Sequence, residues 1–137
     1  MLPRPSRNPR NSPAARPLRV LYADDMKELR ELMGLVLDSD GHMLETCSNG
    51  ALALEHLQLA PSTYDLLITD HHMPVMNGLE LVRAVRRTPY MGRIIVFSSE
   101  LSQSVHDEYL DLHVDRVLAK PVMPVELRQI LAEMFPA

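Results

Sequence analysis

Five short apolar segments alternate with five stretches of helical periodicity, and this alternation constrains the fold more than any other feature of the chain. Leu18–Ala23 is apolar and stops at Asp24-Asp25. Leu29, Leu32, Met33, Val36 and Leu37 then recur at the spacing of a helix with one apolar face. Asp40-Gly41 predicts a turn, and His42–Cys47 alternates like a strand. Asn49-Gly50 opens a second helix to about Leu59, with Pro61 just beyond its end. Tyr64–Thr69 is the third strand. Its consecutive Leu66, Leu67 and Ile68 are apolar on both faces, as in a central parallel strand.

The second half repeats the pattern. Asn77-Gly78 starts a helix whose apolar face is Leu81, Val82 and Val85. Arg93–Ser98 is a fourth strand, residues 102–112 a fourth helix through Val105, Tyr109 and Leu112, and Val114–Ala119 a fifth strand. Pro124 suits a first helical turn, and Leu127, Ile130, Leu131 and Met134 mark the last helix. Strict strand–helix alternation implies a parallel sheet with helices on both faces. Right-handed crossovers leave few arrangements. The expected fold is α/β, a flavodoxin-like (βα)5 doubly wound sandwich with strand order 2-1-3-4-5.

Composition sets the outer limits. A chain of 137 residues suits one domain, and 46% hydrophobic residues supply a core. Residues 1–17 hold five prolines and four arginines and no acid, so they read as a disordered Pro/Arg-rich tail before a domain over 18–137. With a net charge of −4 overall, residues 18–137 carry −8. That disfavours nucleic-acid binding by the body of the protein and suits a domain that collects a divalent cation. The single cysteine, Cys47, excludes an internal disulfide and reads as a space-filling core residue. No run approaches the roughly 20 apolar residues that cross a bilayer. No signal peptide is legible, so a cytoplasmic location without membrane contact is expected.

Four polar signals interrupt the apolar pattern, each at the carboxyl end of a strand. Asp24 and Asp25 follow strand 1, Asp70 follows strand 3, Ser98 ends strand 4, and Lys120 follows strand 5. In a doubly wound sheet these ends share one edge, where ligands bind at the switch point. Three converging carboxylates repel one another, and a hard divalent cation relieves that repulsion. Mg2+ fits best, because it takes one or two carboxylates while keeping waters and a phosphate oxygen. Lys120 offers a point charge for the same phosphate, and the Ser98 hydroxyl a hydrogen bond. Asp70, the central carboxylate, has the chemistry of a nucleophile that forms an acyl phosphate.

Taken together these residues resemble the response-regulator receiver family of two-component systems, over about residues 18–135. The most specific part is Leu66-Leu67-Ile68-Thr69-Asp70-His71-His72-Met73-Pro74-Val75-Met76-Asn77-Gly78, similar to the family's phosphoacceptor signature. The Asp pair after strand 1 and Lys120-Pro121 after strand 5 match as well. The resemblance implies phosphorylation of Asp70 by a histidine kinase or phosphotransfer protein. It implies a Mg2+ held directly by Asp25 and Asp70, by Asp24 through water, and by the backbone carbonyl of His72. Ser98 and Lys120 would contact the phosphoryl group, and the Lys120–Pro121 bond would be cis. His72 and Glu100 would flank the phosphoryl group and tune its lifetime. Such a chain is a phosphoacceptor rather than an enzyme. It signals or relays phosphate through contacts with a downstream protein.

Three positions depart from the family pattern. Val117 stands where an aromatic residue is common, which removes the usual aromatic rotation coupled to Ser98. Ser99 stands where a smaller residue is common. Met123 replaces a polar helix cap, a loss typically worth about 1 kcal/mol. His71 and His72 are adjacent, so their side chains alternate sides and are not expected to share one ion.

Two other readings compete. A fragment of a hybrid histidine kinase would carry the same residues. A Mg-dependent phosphohydrolase of the haloacid-dehalogenase-like class also uses an Asp nucleophile, but it wants a second Asp two places after the nucleophile of strand 1. Met26 stands two places after Asp24. No DNA-binding domain is expected in this chain, because almost nothing follows the last helix.

Overall fold

The computed structural model describes residues 15–137. The chain runs β1 (Arg19–Ala23), α1 (Lys27–Ser39), β2 (Met43–Cys47), α2 (Gly50–Leu59), β3 (Leu66–Asp70), α3 (Gly78–Val85), β4 (Arg93–Ser98), α4 (Gln103–Asp111), β5 (Arg116–Ala119) and α5 (Pro124–Met134). The five strands form one parallel sheet in the order 2-1-3-4-5. This is the flavodoxin-like arrangement expected from the strand–helix alternation.

Polar caps set most helix starts. The Asn49 side chain accepts the Leu52 N–H at α2, and the Ser102 hydroxyl accepts the Val105 N–H at α4. Asn77 and Glu80 form a reciprocal capping box at α3. α5 starts from Met123 without a side-chain cap, with Pro124 at its first turn.

Two strands begin two residues later than the apolar pattern predicts, for one shared reason. β3 starts at Leu66 rather than Tyr64, and β5 at Arg116 rather than Val114. Just before each stands an aspartate whose carboxylate takes a backbone N–H from the neighbouring strand. Asp65 Oδ2 accepts from Arg19 N at 2.9 Å, and Asp115 Oδ2 accepts from Ile94 N at 2.8 Å. A side-chain acceptor replaces the ladder carbonyl there, so regular pairing starts one residue further on.

The compact unit Pro17–Val122 holds the whole sheet and α1–α4. Alternate residues of its strands serve two layers. Leu21, Ala23, Leu67, Ile94 and Val96 pack with Ala53 and Leu57 of α2, Leu81, Val82 and Val85 of α3, and Tyr109 of α4. Val20, Tyr22, Leu66, Ile68, Ile95 and Phe97 point the other way and are also buried. On α1 the buried stripe is narrower than its periodicity predicts. Met33 and Leu37 are buried, while Leu32 and the unheralded Leu35 are exposed. Cys47 is a free buried thiol whose pKa burial pushes up to about 11, the state of an inert packing residue.

Met123–Ala137 groups separately, with Ala15 and Arg16. There Ala15 bridges Pro136, Arg16 N–H donates to Phe135 O at 3.1 Å, and the Arg16 guanidinium lies 5.3 Å from the Phe135 ring centre. The tail expected over 1–17 lies mostly outside the described residues. Its last part, Ala15 and Arg16, is tied to the C-terminal segment by these contacts. Among the described residues no helix is long and apolar enough to cross a membrane.

Candidate functional site

The carboxyl ends of β1, β3, β4 and β5 bring the sequence's polar signals to one rim. Asp24 and Asp25 leave β1, Asp70 closes β3, Ser98 closes β4, and Lys120 leaves β5. Parallel register does this directly: Asp70 pairs with Phe97, and Ser98 with Ala119. Asp24, Asp25 and Asp70 each offer a carboxylate oxygen within 4.8 Å of the others. Lys120 Nζ stands 2.8 Å from Asp70 Oδ1 and 3.6 Å from Asp24 Oδ2. The Lys120–Pro121 peptide bond is cis.

Burial divides the acids. Asp24 and Asp70 are buried and Asp25 is exposed. Asp24 is held on every side. The Tyr22 hydroxyl donates to its Oδ2 at 2.6 Å, Met26 N–H to its Oδ1 at 2.9 Å, and Arg30 Nη1 to its backbone oxygen at 2.7 Å. Burial, then the bond to Asp24, pushes the Tyr22 phenol well above its usual range, so it stays a donor.

Asp70 is less satisfied. Burial raises its pKa above 3.8, the Asp24 charge adds to that rise, and Lys120 and the His71 backbone oppose it. Lys120 Nζ, 2.8 Å from Asp70 Oδ1, is its charged partner. Ser98 Oγ is a buried polar atom with no hydrogen-bond partner. Such an atom in a native fold calls for an absent partner, whether ion, water or substrate. Three hard carboxylates beside this unpartnered hydroxyl fit a Mg2+ and a phosphoryl group.

His71 and His72 differ in burial but do not point apart as expected of neighbours, because their rings meet edge to face with centroids 4.7 Å apart. His72 is exposed in the loop after β3. His71 is buried, and its Nδ1 lies 2.5 Å from the Tyr109 hydroxyl of α4. Gly78 makes that approach possible, since a Cβ there would come 2.7 Å from the Tyr109 hydroxyl and 2.6 Å from Asp70 O.

Sequence reasoning missed Tyr22, Arg30 and the His71–Tyr109 pair. Tyr22 was legible in principle, because a residue two before Asp24 on a strand shares its face. The other two join elements that sequence spacing does not relate.

The family description "Response regulator receiver domain" matches residues 20–132. The chain belongs to the response regulator receiver family. This receiver is 36% identical over 118 residues to the gliding motility regulatory protein of Myxococcus xanthus, covering 85% of this chain and 15% of that protein. It is 33% identical over 127 residues to the sensor histidine kinase AruS of Pseudomonas aeruginosa, covering 85% of this chain and 12% of the kinase. The chain thus spans less than a fifth of these relatives. Among solved structures, the chemotaxis protein CheY4 of Vibrio cholerae superposes with a TM-score of 0.78 at 30% identity, covering 86% of this chain and 98% of that one.

Proposed function

We propose that this receiver accepts a phosphoryl group on Asp70 from a phosphohistidine of a kinase or phosphotransfer protein, with Mg2+ bound at Asp24, Asp25 and Asp70. The observation that carries this reading is the placement of Lys120 Nζ, 2.8 Å from Asp70, beside three carboxylates within 4.8 Å of one another. An Asp70 carboxylate oxygen attacks phosphorus, the P–N bond to the donor imidazole breaks, and the bonding pair leaves with the ring nitrogen. The lysine ammonium and the Ser98 hydroxyl stabilise negative charge on the phosphoryl oxygens as it transfers. Mg2+, when bound, supplies the remaining charge neutralisation, with the His72 carbonyl as a further ligand. Downstream, the phosphorylated chain acts through protein contacts in the cytoplasm.

Intact mass after incubation with acetyl phosphate and Mg2+ tests the reading. One phosphoryl group should be gained by the wild type and none by Asp70→Asn. Steady turnover of p-nitrophenyl phosphate would instead make the protein a phosphohydrolase. The sequence disfavours that alternative, because Met26 stands two places after Asp24 where that class carries a second Asp. A second reading places this receiver inside a longer histidine kinase. Its support is the similarity to AruS, a kinase of which this chain matches 12%.

A further inference from the structure

We infer that Tyr22 is a positioning residue for the cation site: its hydroxyl holds the Asp24 carboxylate apart from Lys120, so that Asp24 serves the metal and Lys120 serves Asp70. This rests on the proposed Mg2+ site.

The argument starts on β1. Tyr22 and Asp24 are two residues apart on a strand, so their side chains leave the same face. Tyr22 is 1% exposed, and its ring lies at 56° to Phe97 with centroids 6.0 Å apart. Register fixes that contact, because Phe97 pairs with Asp70 on β3 and Tyr22 with Ile68. The ring therefore has one place to sit, and its hydroxyl reaches Asp24 Oδ2 at 2.6 Å.

Without that hydroxyl, Asp24 Oδ2 still faces the Lys120 ammonium, 3.6 Å away. A buried carboxylate that loses a donor seeks another. Rotation of Asp24 by less than a bond length would close it onto Lys120. The ammonium would then be shared between two carboxylates instead of standing 2.8 Å from Asp70. Asp24, neutralised by contact, would attract a divalent cation less. Met26 N–H holds the other oxygen and Arg30 the backbone carbonyl, and neither bond is made to Oδ2.

The test is Tyr22→Phe, which keeps the ring against Phe97 and removes one oxygen. Calorimetric titration with MgCl2 should show roughly tenfold weaker binding than wild type, the scale of one hydrogen bond to a charged group. The rise in Tm on adding Mg2+ should shrink accordingly. A purely structural tyrosine would lower Tm equally with and without Mg2+ and leave the affinity alone, and that result overturns the inference. Tighter Mg2+ binding overturns it too, since it would make Tyr22 a competitor of the ion. Should Tyr22→Phe not fold, the 13Cζ resonance of Tyr22 in the wild type decides. It should move along the same Mg2+ isotherm as the calorimetry, and a resonance that stays still refutes the role. Wild-type protein that binds no Mg2+ would remove the proposed function as well. Binding by wild type with equal binding by Tyr22→Phe removes only the role of Tyr22.

Discussion

His71 Nδ1 and the Tyr109 hydroxyl share a buried hydrogen bond of 2.5 Å, which joins the residue after Asp70 to the last turn of α4. Their rings meet edge to face at 5.6 Å. Tyr109→Phe keeps that ring contact and orphans a buried nitrogen. It should cost about 1–3 kcal/mol, seen as a lower urea midpoint at unchanged slope. An unchanged midpoint would mean the bond contributes nothing net.

His42 makes stability depend on pH. It is buried, its Nδ1 accepts from Leu18 N–H at 3.0 Å, and burial lowers its pKa below 6.5 against a weaker opposing pull from Asp40. Below 6.5 the unfolded chain takes up a proton that the folded chain resists. Stability is therefore full above 6.5 and falls as pH drops through the depressed folded value. Burial and the neighbouring His72 shift His71 the same way. His42→Gln should reduce, without abolishing, the difference in urea midpoint between about pH 7.5 and about pH 5.5. An identical pH difference in wild type and variant would exclude His42 as its source.

Asp70 has the opposite sign. Its pKa is raised above 3.8, chiefly by burial. Between 3.8 and the folded value the native state binds more protons than the unfolded chain, so stability falls as pH rises through that window. At neutral pH the ionised carboxylate is a net cost. Asp70→Asn should accordingly melt higher than wild type in Mg2+-free buffer, by about 3 °C for each kcal/mol relieved. A lower melting point would show that the ion contact with Lys120 outweighs the burial cost.

Val75 stores strain. Its φ is +71°, a left-handed value that a β-branched residue rarely takes, and Met76 N–H closes a tight turn onto Pro74 O at 2.7 Å. The side chain is 80% exposed, so packing does not compensate. Val75→Asn should stabilise the fold by about 1 kcal/mol, measured by urea unfolding. A destabilised variant would mean the valine makes contacts that outweigh its backbone cost.

His72 and Glu100 are both exposed, so replacing either leaves the core untouched. If they flank the phosphoryl group, His72→Ala and Glu100→Ala open it to water and shorten the acyl-phosphate lifetime a few-fold. The decay of phosphorylated protein, followed by intact mass, measures this. Equal lifetimes in wild type and both variants would remove these residues from rate control.

The sequence alone determined the order of strands and helices, the parallel sheet and the rim residues. Periodicity and punctuation are local properties, and the switch-point rule converts strand ends into a shared edge. Asp24, Asp25, Asp70, Ser98 and Lys120 were therefore identifiable before any coordinates. Tertiary structure alone decided which atoms of those residues are satisfied. Tyr22 rather than Lys120 takes the first claim on Asp24, Ser98 Oγ is left without a partner, and His71 turns inward to Tyr109. Each of these outcomes is a contest among groups far apart in the chain, settled by ångström-scale differences in position. The starts of β3 and β5 followed the same logic, because Asp65 and Asp115 accept backbone N–H groups that lie 46 and 21 positions away in the chain.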